Sequence, residues 1–314
     1  MSLIERALER MKHERAAREQ PPSAQDPVTA LAEAPVPAVA EATPVVDLDS
    51  LPCRSDLSVV IDVARLRAAG VLAPREEERR LAEEYRIIKR PLLKVIAEGE
   101  AAQQRNIVAV TSALPGEGKT FTSVNLALSL ALERGRQVVL VDGDVAKLNL
   151  TRLFGLDGQP GLLDLGGADA SLALEDALVR ADLPSLYILP AGTPHSEATE
   201  ILRSERTAAL LARLAADPRR IVLVDLPPLL VTSEAGVLAS LAGQVLLVVK
   251  ASDTPQDVVV RATEAVTEDK PISLVLNQVL SSPERHYGYY YGGYGYGYRY
   301  GENDLGARAP GESS

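Results

Sequence analysis

The sequence predicts an α/β fold, a mostly parallel β-sheet with helices on both faces. Three observations carry this. Short unbroken runs of Ile, Val and Leu recur along the chain, and helix-patterned segments separate them. Strands buried on both faces read as continuous apolar runs, and strand–helix alternation marks parallel crossovers. Hydrophobic residues make up 46% of the chain with no Trp and two Phe, so the core is aliphatic.

In chain order, residues 1–19 pattern as a short helix with Leu3, Ile4, Ala7, Leu8 and Met11 on one face. A helix of that length is marginal alone in water and must dock, either on the protein's own body or on a partner or membrane surface. Residues 20–50 read as a disordered linker, with six prolines among alanines and acids and no Lys or Arg. A charged helix follows over 75–97, with Leu81, Tyr85 and Ile88 at helical spacing, and Pro91 is expected to kink or end it. Strands are predicted at 106–111, 137–141, 186–189, 221–224, 244–249 and 272–276. Helices are predicted at 120–134, 200–216 and 256–267. The pattern stops after Val279, so a folded domain over 51–280 should precede a flexible tail over 281–314. Tyr85 and Tyr187 fall inside predicted elements and read as packing residues.

Composition excludes some functions. A net charge of −10 argues against nucleic acid as the main partner. The single Cys53 cannot form an internal disulfide; it fits a reducing cytosol and a structural role. Residues 1–19 lack the unbroken apolar stretch of a secretory signal, and no run of ~18 apolar residues is present to span a bilayer.

Three motifs carry chemistry. Ala113-Leu-Pro-Gly-Glu-Gly118-Lys119-Thr120 follows a predicted strand and opens a predicted helix, the setting a phosphate-binding loop requires. Glycines let successive backbone N–H groups face phosphates, and the helix N-terminus adds positive potential. Gly116, Glu117, Gly118, Lys119, Thr120 and Phe121 are therefore candidate ATP-binding residues, with Lys119 reaching the β/γ-phosphates and Thr120 holding Mg²⁺. Val138-Val-Leu-Val-Asp142-Gly-Asp144 is a strand ending in two acids, which alternation places on one side, toward the Mg²⁺–phosphate site. Ile221-Val-Leu-Val-Asp225 is a third strand ending in a carboxylate, suited to Mg²⁺ directly or through water. Together they predict a P-loop NTPase.

A separate oddity follows the last strand. Eight of the ten tyrosines lie between 287 and 300: Tyr287, Tyr289, Tyr290, Tyr291, Tyr294, Tyr296, Tyr298 and Tyr300, interleaved with glycine. With no aliphatic residue to pack against, they cannot build a core. Beside a nucleotide site, they read as phosphate acceptors.

The three motifs, in this order, resemble the bacterial tyrosine kinases, and among them the autokinases of exosortase-type exopolysaccharide loci. The early signature lysine of the related partition ATPases is absent; Leu114 stands there. Further matches are Leu189-Pro-Ala-Gly192, Glu200-Ile-Leu202, Val231-Thr-Ser-Glu234, the Met1-Ser-Leu-Ile-Glu-Arg-Ala start and Ile61-Asp-Val-Ala-Arg-Leu-Arg67. The resemblance implies Mg²⁺-ATP-dependent autophosphorylation of the tyrosine tail in trans, with Lys119, Asp142 and Asp144 catalytic. Thr120, Asp142, Asp144 and Asp225 would organise the metal, and Asn277 would read the adenine edge. It also implies ring-like self-association through Glu83, Arg86 and Lys89, where Lys89 replaces the family's arginine and so loses the planar fork. A transmembrane polysaccharide co-polymerase as activator, a tyrosine phosphatase as antagonist, and a place at the inner face of the plasma membrane complete the expectation. The rival readings are a partition-type regulatory ATPase and a P-loop scaffold with an adhesive aromatic tail.

Overall fold

The computed structural model describes residues 51–100, 103–167, 172–183, 185–266 and 270–279. The predicted helix over 1–19, the linker over 20–50 and the tail over 281–314, with its tyrosines, lie outside the described residues. Contacts divide the chain into residues 1–278 and 279–314, and the fold described below belongs to the first.

The described chain runs β1 (Ser58–Val59), α1 (Val63–Ala68), α2 (Glu78–Glu98), β2 (Ile107–Ser112), α3 (Lys119–Ala131) and β3 (Gln137–Asp142). It continues through α4 (Asn149–Leu153), α5 (Leu162–Gly166), α6 (Leu174–Ala177), β4 (Val179–Ala181), β5 (Leu186–Leu189), α7 (Ala198–Arg203) and α8 (Glu205–Leu214). Then come β6 (Arg220–Asp225), α9 (Ser233–Leu241), β7 (Gln244–Lys250), α10 (Gln256–Glu264) and β8 (Ile272–Asn277). All eight strands share one sheet in the order β1-β4-β5-β3-β6-β2-β7-β8. Each neighbouring pair is parallel except β4 with β5.

Period-2 alternation sorts the strand residues onto two cores. Ile107, Ala109, Val139, Val141, Val222 and Val224 face one, packed by α5 to α10. Val108, Val110, Val138, Leu140, Ile221 and Leu223 face the other, packed by α1 to α4. Both faces are covered, so the apolar runs seen in the sequence are unbroken. The exception is β8, at the sheet's edge, where Leu274 and Leu276 stay exposed.

Two expectations are corrected. Of the two outcomes expected at Pro91, an ending does not occur: α2 continues to Glu98 with the proline inside it. Pro91 and Ile87, whose carbonyl loses its helical donor, both lie on the exposed face where water can serve that oxygen. On the opposite face Tyr85 and Leu92 are buried and hold the helix across the proline. The helix predicted over 200–216 is two, α7 and α8, broken at Ser204. Ser204 adopts an extended backbone, and its Oγ accepts from Thr207 N at 3.2 Å as an N-cap. A serine offers the chain this alternative to continuing the helix.

The central strands β3, β6 and β2 are adjacent although far apart in sequence. Asp142 stands opposite Asp225 in register, and Val110 opposite Asp225 on the other side. Three central strands therefore end side by side at their carboxyl ends, where ligands of such folds bind.

Candidate nucleotide-binding and phosphoryl-transfer site

The loop between β2 and α3 is built for close backbone approach. Gly116 and Gly118 have φ of 83° and 92°, in the left-handed region that favours glycine. At Gly118 a Cβ would lie 2.0 Å from Asn277 Nδ2, so a side chain there would collide as well as strain. Glu117, 2% exposed, turns its carboxylate to support the loop. Oε2 accepts from Leu114 N at 2.7 Å, while Oε1 accepts from the Thr254 hydroxyl and from Lys250 N at 3.4 Å. An acid inside a phosphate loop would repel its ligand; here those bonds occupy the carboxylate and leave the Glu117 backbone N–H as its contribution to an anion. The Asn277 amide donates to Glu117 O at 2.8 Å, and that of Gln278 to Gly116 O at 3.2 Å. Asn277 thus reaches the loop predicted to bind ATP. The Phe121 side chain packs into the second core.

The charged residues meet below the loop. Lys119 Nζ lies 2.9 Å from Asp144 Oδ2, both buried. Thr120 Oγ1 donates to Asp225 Oδ2 at 2.7 Å, and Ser123 Oγ to Asp225 Oδ1 at 2.9 Å. Asp142 Oδ2 accepts twice from Thr151, from the backbone N at 2.8 Å and the hydroxyl at 2.7 Å. Asp142 Oδ1, fully buried, has no hydrogen-bond partner.

Burial dominates the electrostatics. It lifts the Asp142 carboxyl to about 6; the Thr151 bonds oppose the rise, and the Asp225 and Asp144 charges add to it. Burial also raises Asp225, opposed chiefly by the Lys119 charge. Folded Asp142 holds its proton to higher pH than an unfolded Asp, near ~3.9. The native state therefore binds more protons between those values, and this group's contribution to stability falls as pH rises through that window. Asp142→Asn is expected to stabilise the nucleotide-free chain at neutral pH by on the order of 1–3 kcal/mol. It should also flatten the pH dependence of thermal melting between ~4 and 6. A lower melting point at neutral pH would show that the ionised carboxylate is not a burden on the fold.

The donor set fits ATP and Mg²⁺. Hydroxyl and carboxylate oxygens suit a hard cation, and the buried, unpartnered Asp142 Oδ1 is an acceptor in want of a donor, a water or an ion. Among the described residues no three His, Cys, Asp or Glu side chains cluster closely enough to hold a metal. The predicted set Thr120, Asp142, Asp144 and Asp225 is accordingly not a preformed cage; each acid is engaged by a different partner. That agrees with Mg²⁺ chemistry, in which one or two carboxylates act with waters and substrate phosphates.

The predicted self-association residues separate. Glu83 and Arg86 pair with each other at 2.5 Å on the exposed face of α2. Lys89 is buried, 2.5 Å from Glu133 and donating to Ser129 O at 3.2 Å, so it ties α2 to α3. Tyr85 and Tyr187 are both buried, and burial raises both phenols. The exposed His195 accepts from Glu197 N at 3.1 Å, a local loop contact. Sequence reasoning missed Ser123, Thr151 and Thr254. Ser123 was findable, since it stands one helical turn after Lys119; the other two carry no local signal.

Comparison with known proteins decides the family. A ParA family model, described as an NUBPL iron-transfer P-loop NTPase, matches residues 103–269, more than half the chain. The tyrosine-protein kinase YwqD of Bacillus subtilis is 30% identical over 223 residues, covering 70% of this chain and 91% of that protein. The chain belongs to the bacterial tyrosine-protein kinase family. The crystal structure of the VpsO kinase domain superposes on this family member with a TM-score of 0.55 and 31% identity. That match covers 66% of this chain and 100% of the other. EpsB of Ralstonia nicotianae is 39% identical over 146 residues, and the chain spans only 19% of that protein's length. As expected, the fold is a P-loop NTPase with a mostly parallel sheet and helices on both faces. Among the described residues no helix is long and apolar enough to cross a membrane.

Proposed function

We propose that this kinase-family chain transfers the γ-phosphoryl group of ATP to tyrosines of its own tail, and so regulates exopolysaccharide polymerisation or export. One observation carries the reading: Lys119, Thr120, Asp142, Asp144 and Asp225 converge at the carboxyl ends of the central strands in a chain with eight tyrosines between 287 and 300. The phenol oxygen attacks the γ-phosphorus, the bond to the bridging oxygen breaks, and ADP leaves. A phenol has a pKa near ~10 and is a poor nucleophile at neutral pH. Asp142, lifted to about 6, is a base nearer neutrality than an ordinary carboxylate and takes the phenol proton. Lys119 neutralises phosphate oxygens, with Asp144 fixing its ammonium. Mg²⁺, when bound, supplies charge neutralisation across the phosphates. Thr120 and Asp225 would hold it, with Asp142 and Asp144 around it; Asn277 would meet the adenine edge.

The tail reaches a neighbour's site in a ring-like assembly. Glu83 and Arg86 are exposed and can face a second copy, and Lys89 stiffens the helix that carries them. Each phosphate adds ~1.5–2 negative charges, so repeated phosphorylation repels the tails and opens the ring. A membrane co-polymerase would recruit and activate the enzyme at the inner membrane face, and a tyrosine phosphatase would reset it. Incubation of the full chain with Mg²⁺-ATP should place phosphate on several of the eight tail tyrosines by mass spectrometry. Replacing all eight with Phe should remove most labelling, and light scattering should report a lighter assembly after ATP. ATP hydrolysis with no tyrosine labelling would instead favour a partition-type regulatory ATPase.

A further inference from the structure

We propose that Thr151 is a positioning residue for Asp142, its hydroxyl oriented by the backbone N–H of Ala191. The inference rests on the reading of Asp142 as a group of the reaction. The Ala191 N–H donates to Thr151 Oγ1 at 3.0 Å, and Thr151 Oγ1 stands 2.7 Å from Asp142 Oδ2. A hydroxyl has one proton and two lone pairs. With one lone pair taken by Ala191, the proton is directed to Asp142. The Thr151 backbone N–H donates to the same oxygen at 2.8 Å. Two donors on Oδ2 and none on Oδ1 hold the carboxylate in one rotation, with Oδ1 as the oxygen left for other work.

The anchor of this relay is rigid. Ala191 belongs to the segment 190–192 that follows β5, and Pro190 O and Ala191 O accept from Leu162 N and Leu163 N at 2.8 and 3.0 Å. Gly192 closes the turn at φ 89°, where a Cβ would lie 2.2 Å from Asp164 Oδ2. Asp164 Oδ2 in turn accepts from Gly161 N and Thr193 N at 2.8 and 3.0 Å. The Leu-Pro-Ala-Gly pattern lies away from the phosphate loop in sequence, yet it fixes where the Ala191 N–H points. Thr151 and Ala191 are both buried, so water does not compete for these bonds.

The test compares Thr151→Val, which deletes the hydroxyl at nearly constant volume, with Thr151→Ser, which keeps it. In the full chain, Thr151→Val is expected to lower kcat for ATP turnover about 10–100-fold, the usual cost of losing a group that orients a reacting residue. The KM for ATP and the calorimetric affinity for ADP should stay within about twofold, because the phosphate loop is untouched. Thr151→Ser should restore turnover to within about threefold of wild type. Independently of activity, the Ala191 amide proton should exchange faster with solvent in Thr151→Val and at the wild-type rate in Thr151→Ser. A folded Thr151→Val with wild-type kcat overturns the proposal. So does a folded Thr151→Ser as slow as Thr151→Val, which would assign the effect to the methyl group. Should Thr151→Val not fold, Thr151→Ala carries the same comparison. Wild type that turns over ATP without labelling tyrosine defeats the kinase reading while the relay is still judged on hydrolysis; wild type with no turnover overturns both.

Discussion

Replacing Lys119 with methionine is expected to reduce phosphoryl transfer about 10²–10³-fold or more, the cost of removing one aligned charge from a transition state. The stem is retained and the ammonium lost, so tyrosine labelling in wild type and its absence in the variant would assign the activity to this chain. The substitution has a second consequence. Asp144 is buried and loses its cation, and stranding one partner of a buried pair costs about 3–5 kcal/mol. A drop in activity alone would therefore be ambiguous between chemistry and folding. Lys119→Met with Asp144→Asn separates the two, because Asp144 is then no longer a stranded charge, although Asp225 still loses the cation that offsets its burial. The double variant should recover the part of the lost thermal stability that comes from Asp144 and none of the transfer. Phosphotyrosine on the purified Lys119→Met tail would show that a different enzyme supplies it, and recovered activity in the double variant would remove Lys119 from the mechanism.

Asp225→Asn should lower turnover on the order of 10²-fold or more, since the proposed mechanism has this charge complete the Mg²⁺–phosphate environment. Stability should behave differently. Asp225 is wholly buried, and burial works against its ionised form, with Lys119 the main compensation. Asparagine keeps the shape and can accept from one of the two hydroxyls, Thr120 or Ser123, that the carboxylate now serves. The melting temperature is expected to stay within about 3 °C of wild type or to rise, the range of a change under ~1 kcal/mol in a domain of this size. A large fall in melting temperature with full activity in the surviving protein would make Asp225 a structural residue. The paired readout matters because, on the proposed mechanism, the same carboxylate is expensive for the fold and required for transfer.

Much of the fold was legible. The strands at 107–112, 137–142 and 220–225 lie within a residue or so of prediction, because a strand buried on both faces must be apolar along its whole length. β1 and β4 were missed, being two and three residues long, too short to show a period. Helix continuity departs from expectation in two places, in opposite senses: the ending allowed at Pro91 does not occur, and an unexpected break appears at Ser204. Pro91 was overruled by Tyr85 and Leu92 packing on the far face, whereas Ser204 broke a helix that the apolar pattern alone would have continued. In each instance the deciding contact lies outside the window that periodicity reads.

The candidate site divides along the same line. The residue types and their places at strand ends were determined by the sequence itself: glycines where the loop needs positive φ, a lysine opening the helix, and an acid closing each of two buried runs. Such features follow from local backbone geometry and from the need to bury strands, so they leave a local trace. Which partner each group takes was decided only by the tertiary structure. Asp144 meets Lys119, Asp225 meets Thr120 and Ser123, Asp142 meets Thr151, Glu117 turns to Thr254, and Lys89 is drawn into the α2–α3 contact instead of remaining beside Arg86. Those pairings join residues up to 137 positions apart, through crossovers that place β2, β3 and β6 side by side. A buried polar group must find its partner in space, and spacing along the chain does not record where that partner will be.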